Sequence, residues 1–228
     1  MEDLPEDLQI VLTDTIHDSS KVSIIVLAFV NKFCYRMSRR CAIKNDIHRS
    51  LQCHEIAAEG SLELLKWARQ TGHKWNHITC VNAVLNGNFE ILKYAVSNGC
   101  QMSSLVCEYA AANGDLEMLK YARSNGCSWE SWTNCKAVDS GKLEVLEWAH
   151  LNGCPRYMYV CHRAALHGHL DILIWAKCNG YMWDENVCRT AVANGHLMLL
   201  RWARAAGCPW DHITENIAKQ KWPDIKFP

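Results

Sequence analysis

Hydrophobic positions recur along most of the chain at the spacing of a helix, and this pattern itself repeats. In the segment GDLEMLKYARSNG, leucine or methionine stands two, four and five residues after the first glycine, and alanine stands eight residues after it. These positions lie on one side of an α-helix, and the charged Glu117 and Lys120 lie on the other. The residue types at Ser61, Asn88 and Asp115 are typical of N-caps. The pattern predicts a short amphipathic helix between two glycines.

The twelve glycines show that this helix belongs to a tandem repeat. Six of them stand 27 residues apart, and each of the other six follows a member of the first set by 12 residues. The first set is Gly60, Gly87, Gly114, Gly141, Gly168 and Gly195, and the second is Gly72, Gly99, Gly126, Gly153, Gly180 and Gly207. We expect the second glycine to be the left-handed stop of a helix. Such a period predicts a repeat architecture.

A second, shorter helix precedes the first glycine of each repeat. It carries a cysteine followed by paired small residues, as in CEYAAANG and CHRAALHG, and alanine there lets two helices approach closely. Each repeat is therefore helix, tight turn, helix and short loop, and neither helix can bury its apolar face alone. The sequence predicts an all-α solenoid of six helix pairs over residues 48–222, with a closing helix near Asp211–Gln220 and a tail at 223–228.

These helix pairs resemble ankyrin repeats. GDLEMLKYARSNG is similar to the second helix of an ankyrin repeat, and TCVNAVLNGN and VCHRAALHGH are similar to the first. Ankyrin repeats have about 33 residues, whereas these have 27. The missing residues belong to the part where ankyrin repeats carry a β-hairpin finger. We therefore expect helix pairs without fingers, a short form similar to that in proteins of large DNA viruses and protists.

Residues 1–47 lack the repeat and predict a separate helical module. LPEDLQIVL begins an apolar helical stripe with proline in its first turn, and a second apolar stripe runs into the basic stretch RMSRRCAIK. This order resembles a three-helix F-box, which implies docking on a Skp-type linker subunit of a cullin–RING ubiquitin ligase. The docking residues would be Leu4, Pro5, Leu8, Leu12, Val30 and Phe33. Alternatively, or in addition, this segment is a cap that shields the first repeat.

Cysteine usage and charge indicate the compartment. Thirteen cysteines would suggest disulfides in a secreted chain, but the opening MEDLPED is unlike a secretory signal. Nine cysteines fall in two repeat columns, so we expect reduced, buried thiols in the cytosol or nucleus, of a host cell if the chain is viral. Basic and acidic residues number 24 each, and no apolar run reaches the length of a membrane span. We expect no nucleic-acid or membrane partner.

The sequence gives little indication of catalysis, a metal or a cofactor. Cys154, Cys161 and His162 form the densest group of metal-ligating residue types, but the repeat-column cysteines lack the close pairs typical of zinc sites. Every glycine belongs to the repeat, which leaves no phosphate-binding loop. The recurring aromatic residues favour packing between repeats over base stacking. We therefore predict a protein that is not an enzyme and needs no cofactor.

Positions that break the repeat are the candidates for partner recognition. If the shorter helices line a concave face, as in ankyrin repeats, two neighbouring repeats each present an aromatic residue and a cation one helical turn apart. Aromatic and arginine side chains are frequent interface anchors. The candidate partner-binding residues are Tyr109, Trp132, Lys136, Asp139, Tyr159 and Arg163. If the shorter repeat rotates the helix pairs, the longer helices with Glu63, Lys66, Glu117 and Lys120 would instead be the recognition surface.

Together these features favour a protein–protein interaction module. The preferred hypothesis is a substrate adaptor of a Skp–cullin–F-box ubiquitin ligase, in which residues 1–47 dock on the ligase and the repeats hold a protein client. The alternative is a stand-alone ankyrin-like scaffold or structural binding protein with no ligase role.

Overall fold

The computed structural model describes residues 52–225, and every regular element in this range is an α-helix. In chain order the helices are α1 (Cys53–Glu59), α2 (Leu62–Gln70), α3 (His77–Leu85), α4 (Phe89–Ser97), α5 (Leu105–Asn113), α6 (Leu116–Ser124), α7 (Ser131–Asp139), α8 (Leu143–Leu151), α9 (Val160–His167), α10 (Leu170–Cys178), α11 (Glu185–Asn194), α12 (Leu197–Ala205) and α13 (His212–Lys221). The expected helix pairs without fingers are thus confirmed for these residues. The predicted module at 1–47 lies outside them.

Each repeat consists of a helix A before its first glycine and a helix B after it. Helix A is α1, α3, α5, α7, α9 or α11, helix B is the helix that follows, and α13 closes the series as an unpaired helix A. Asp211 is the N-cap of α13, and its side chain accepts a hydrogen bond from the backbone N–H of Thr214. The closing helix therefore begins and ends within one residue of its predicted limits. None of the helices in residues 52–225 has the length and hydrophobicity of a membrane span.

The helices form two compact units, one up to Met102 and one from Ser103 onward. In the first unit α3 packs against α1 and α4 against α2. In the second unit the A helices α5, α7, α9, α11 and α13 pack against one another in succession. Alanine makes this close packing possible, since Ala110 and Ala111 of α5 are fully buried together with Cys107. The small side chains at these positions are therefore structural.

Helix B buries the stripe that the repeat pattern predicts. Leu64, Leu65 and Ala68 of α2 are buried, at the positions four, five and eight after the glycine. Ser61 caps this helix by accepting a hydrogen bond from the backbone N–H of Leu64 at 3.4 Å. Burying two leucines contributes about 3–6 kcal/mol per repeat to the hydrophobic term, far more than the cap. The amphipathic pattern, rather than helix propensity, stabilises these short helices.

Asp115 also caps its helix as predicted, whereas Asn88 forms a hydrogen bond of a different kind. Asp115 accepts a hydrogen bond from the backbone N–H of Met118 at 2.8 Å. Asn88 occupies the N-cap of α4 without a capping hydrogen bond. Its Nδ2 instead donates to the carbonyl oxygen of Ala57 at 3.0 Å. The bond satisfies a carbonyl in the last turn of α1, which is helix A of the preceding repeat. It therefore links two successive repeats.

Gly168 shows why helix A ends in glycine. Its φ of 77° lies in the left-handed region, and it follows the last residue of α9. A Cβ atom at this position would stand 2.5 Å from Nδ1 of His196 in the next repeat. The Nε2 atom of His196 lies 3.1 Å from the carbonyl oxygen of Leu166. Glycine is favoured here both by its backbone conformation and by the ring that lies over it.

A tryptophan fixes the loop after several B helices. Trp129 lies beneath the guanidinium group of Arg123, which is 4.2 Å from the ring centroid. The same ring meets Trp148 of the next repeat edge-on, with centroids 5.7 Å apart. Trp183 repeats the arrangement with Lys177 and Trp202. The recurring aromatic residues therefore pack between repeats and are held there partly by cation–π contacts.

Candidate partner-binding surface

The structure places the predicted partner-binding residues on the A helices of the second unit. Trp132 lies in the first turn of α7 with 50% of its surface exposed. Tyr159 directly precedes α9 and is 57% exposed. Lys136 and Arg163 follow these two residues by one helical turn, and each is half-buried. Two half-exposed aromatic residues thus lie at the starts of two helices that pack against each other.

A third ring joins the two aromatic residues. The centroid of Tyr157 lies 6.1 Å from that of Trp132, with the rings tilted by 37°. On its other side Tyr157 meets Tyr159 edge-on at 5.9 Å. We call these three side chains the aromatic surface. The sequence reasoning did not find Tyr157, because it lies in a loop outside the helical columns, although the alternation in RYMY could have signalled it.

Helix α7 holds the loop that carries Tyr157. Nδ2 of Asn134 donates to the carbonyl oxygen of Pro155 at 2.9 Å. Burial, followed by the interaction with the buried Cys135 of the same helix, raises the pKa of Tyr157 above its usual value. The phenol is therefore neutral at physiological pH, and Asn134 holds its loop against α7.

The predicted cation and carboxylate of this surface are paired within the chain. Nε of Arg163 donates to Oδ1 of Asp139 at 2.6 Å, and Nη2 donates to Oδ2. The hydrogen bond to this carboxylate raises the pKa of Arg163. Nε2 of His167 lies 3.5 Å from the same carboxylate. Asp139 and Arg163 thus form a partly exposed ion pair between α7 and α9 rather than two separate charges.

The remaining candidates, Lys136 and Tyr109, lie on α7 and α5, two helices that pack against each other. Lys136 is half-buried one turn after Trp132. Burial raises the pKa of Glu108 on α5, and the positive charge of Lys136 opposes part of that rise. Tyr109, also on α5, is half-buried. Lys136 and Glu108 thus bring charges of both signs to the neighbouring helices α7 and α5.

The alternative recognition surface carries charges that pair with each other. Nζ of Lys66 lies 2.6 Å from Oε1 of Glu63, and Nζ of Lys120 lies 2.9 Å from Oε1 of Glu117. Both pairs join residues three apart on the exposed side of a B helix. Exposed pairs of this kind contribute little to stability. They also present no exposed aromatic side chain, so the B helices offer a weaker anchor than the aromatic surface.

Of the residues considered for zinc, Cys154 and His162 form hydrogen bonds and Cys161 is buried. The Cys154 thiol donates to the carbonyl oxygen of Glu130 at 3.4 Å. Nε2 of His162 lies 3.1 Å from Oγ1 of Thr190, and Cys161 is buried in α9. Within residues 52–225 the structure shows no group of three histidine, cysteine, aspartate or glutamate side chains placed to hold a metal ion.

Comparison with known proteins identifies the fold. No protein-family model matches the chain, and no curated protein matches it. Among solved structures it is similar to the crystal structure of the human ASB11 ankyrin repeat domain, with a TM-score of 0.58 and 17% sequence identity. The match covers 68% of this chain and 83% of that one. The predicted ankyrin-like fold is confirmed, whereas the comparisons give no support to the F-box-like segment or to a viral or protist form.

Proposed function

We propose that this chain is a protein-binding module and that the aromatic surface is its contact site for a client. The observation that carries the proposal is that Trp132 and Tyr159 remain half exposed although each is held in a row of rings about 6 Å apart. Large aromatic side chains with a polar atom are the residues most often found at the centre of protein interfaces. When a partner covers such exposed rings, their apolar surface is removed from water, which favours binding.

The contacts that hold these rings in place favour tight binding. Asn134 of α7 holds the loop that carries Tyr157, and the Tyr157 ring lies between those of Trp132 and Tyr159, so little side-chain freedom is lost when a client binds. The Asp139–Arg163 ion pair and Lys136 border the rings with charged groups, which supply orientation at the rim of an interface. The arrangement supports a binding role.

The test compares two aromatic variants with an exposed control. Trp132→Ala and Tyr159→Ala remove anchors, whereas Leu151→Ala changes a side chain of α8 that is 82% exposed. Quantitative affinity capture should find clients that wild type and Leu151→Ala retain and both aromatic variants lose. With a purified client, each aromatic variant should raise Kd about 30-fold or more, which corresponds to about 2 kcal/mol. Equal loss with Leu151→Ala would reject the aromatic surface as the site.

We further propose that the client is presented to a ubiquitin ligase in the cytosol or nucleus. Support comes from the F-box-like pattern of residues 1–47, which the chain combines with client-binding repeats. The test mixes the full chain with a purified Skp-type subunit. Pro5→Ala combined with Leu8→Asp should abolish the complex, whereas Trp132→Ala should leave it intact. If the wild-type chain forms no complex, the stand-alone scaffold is the correct alternative.

A further inference from the structure

The exposed side of helix B changes its chemistry halfway along the chain. Its three outer positions lie three, six and ten residues after the first glycine. In the first three repeats they hold glutamate, lysine and a polar residue, and each glutamate pairs with its lysine at 2.6, 2.8 or 2.9 Å. The last three repeats have no lysine at these positions. They hold Glu144, Glu147 and Leu151 on α8, Asp171, Ile174 and Cys178 on α10, and Met198, Arg201 and Ala205 on α12.

Three of these residues expose large apolar side chains. Leu151 is 82% exposed, Ile174 37% and Met198 68%. Leu151 ends α8, Ile174 lies in the middle of α10, and Met198 lies in the first turn of α12. Because the B helices of stacked, equivalent repeats run in the same direction, these side chains form one oblique row across the three helices. We call this row the outer apolar row.

Ring contacts hold these three B helices side by side. His150 of α8 meets Trp175 of α10 edge-on, with ring centroids 5.3 Å apart. Trp183, in the loop that leaves α10, meets Trp202 of α12 at 5.9 Å. Nζ of Lys177 on α10 lies over the Trp183 ring, 4.3 Å from its centroid. The three helices are therefore neighbours within the second unit, and their outer sides form one surface.

The spacing of the outer apolar row matches an α-helix. Packed helices lie about 8–10 Å apart, and each step along the row also moves three or four residues, about 4.5–6 Å, along the helix axis. Neighbouring side chains of the row are therefore about 9–12 Å apart. Seven residues of an α-helix rise about 10.5 Å and return to the same side of the helix. An extended strand covers that distance in about three residues, and side chains three apart point to opposite sides.

Carboxylates line one side of the outer apolar row. Glu144 and Glu147 precede Leu151 on α8. Asp171 precedes Ile174 on α10. Glu147 and Ile174 occupy the position at which the first three repeats hold the pairing lysine. Because two glutamates three residues apart repel each other, a cation supplied by a partner would be attracted here. The surface therefore offers apolar contact beside an excess of negative charge.

We propose that the outer apolar row binds an amphipathic α-helix of a second protein. The apolar side chains of that helix recur every seven residues, and lysine or arginine lies on the flank that faces the carboxylates. Arg201 lies on the other side of the row, so the basic flank lies over α8 and α10. The row is on helices B, whereas the aromatic surface is on helices A and the loop before α9. The chain thus has separate surfaces for two partners.

The experiment measures the binding of two synthetic peptides to the full chain by fluorescence anisotropy. The first is the leucine–lysine peptide LKKLLKLLKKLLKL, and the second has glutamate in place of every lysine. Wild-type protein should bind the lysine peptide about tenfold or more tightly than the glutamate peptide, because only the lysine peptide complements the carboxylates. Added salt should weaken the binding of the lysine peptide.

Two variants restore a lysine that the first three repeats hold at the same position, so both should fold, which circular dichroism checks. Ile174→Lys removes apolar contact and Glu147→Lys removes attraction, and each should raise the Kd of the lysine peptide about fivefold or more. Leu151→Ser introduces the residue of the second and third repeats and should weaken binding without a change of charge. The matched control Gln70→Lys adds the same charge to the outer side of α2 and should change Kd less than about twofold.

The two binding surfaces are tested independently. Trp132→Ala should bind the lysine peptide as wild type does, whereas Leu151→Ser should still bind a client of the aromatic surface. The proposal is overturned if wild-type protein does not bind the lysine peptide or binds both peptides equally. Equal weakening by Ile174→Lys and Gln70→Lys would also overturn it, since general charge repulsion would then explain the loss. Loss of binding with Trp132→Ala but not with Ile174→Lys would place the peptide on the aromatic surface instead.

Discussion

Arg163 and Asp139 stand 24 residues apart and form a two-point ion pair between helices α9 and α7. Their side chains are 30% and 20% exposed, so the pair is shielded from water more than an ordinary surface salt bridge. Because each partner belongs to a different repeat, the pair fixes how the two A helices align beneath the aromatic surface. Its charges therefore support both the fold and the candidate binding site.

Loss of this pair should reduce stability. We expect Asp139→Ala to lower the free energy of unfolding by about 1–2 kcal/mol, since it leaves the Arg163 guanidinium without its hydrogen-bond acceptor. A double-mutant cycle with Arg163→Ala, measured by urea denaturation, should give a coupling of about 1 kcal/mol. Lys66→Ala breaks an exposed pair and should cost less than about 0.5 kcal/mol. Equal costs for Asp139→Ala and Lys66→Ala would contradict the structural role.

Truncation of two nearby tryptophans should affect different properties, stability for one and client binding for the other. Trp129→Ala removes the contacts with Arg123 and Trp148, and we expect it to cost about 2–3 kcal/mol of stability. Trp132→Ala should cost less than about 1 kcal/mol, because half of that side chain is exposed, while it weakens client binding. Thermal denaturation of both variants checks this difference. A sharp fall in melting temperature for Trp132→Ala would show that its ring is structural.

Two glycines with similar backbone conformations should tolerate alanine differently. Gly153 has a φ of 80° and open space where a Cβ would stand, so Gly153→Ala should cost about 1–2 kcal/mol from the left-handed conformation alone. Gly168→Ala also pushes against the ring of His196, which must move away from the Leu166 carbonyl. We expect an additional loss of about 1 kcal/mol or more in urea denaturation. The same cost for both variants would exclude the contact with His196.

Asp211 should make stability depend on pH in the acid range. A hydrogen bond from the backbone N–H of Thr214 at 2.7 Å, and then one from Arg189 at 2.5 Å, hold the pKa of Asp211 well below its usual value. Since the folded pKa is lower than the unfolded one, the contribution is complete above about pH 4 and is lost as the pH falls toward the folded pKa. Asp211→Asn keeps a capping residue but removes the charge.

Urea denaturation from about pH 5 down to about pH 2.5 measures this effect. Wild-type protein should lose more stability over that range than Asp211→Asn, so the difference between the two should shrink toward low pH. Glu215→Gln, whose parent carboxylate pairs with Lys219 on the same helix, is a matched control for a lost surface charge. Parallel pH profiles for wild type and Asp211→Asn would contradict the prediction.

The sequence by itself determined the helix pairs, their limits and their buried stripes. These features are local: a helix stop needs a left-handed glycine, and an apolar stripe needs only the period of the helix. The spacing of Gly60, Gly87 and the glycines that follow therefore predicted the repeat. The two repeat columns of cysteine also predicted that their members pack as small buried side chains, whereas Cys178, outside these columns, is exposed.

Contacts between repeats were decided only by the tertiary structure. Asp139 and Arg163 occupy two columns that the sequence presents as independent, and their pairing depends on how far α9 is displaced along α7. Tyr157 joins the aromatic surface because its loop folds back onto α7, which no helical period describes. Likewise the Cys127 thiol donates to the carbonyl oxygen of Ser103, a contact between two loops that no helical period describes. Periodicity fixes which side of a helix is buried, whereas the neighbours of each side chain depend on the distances and angles at which the helices stack.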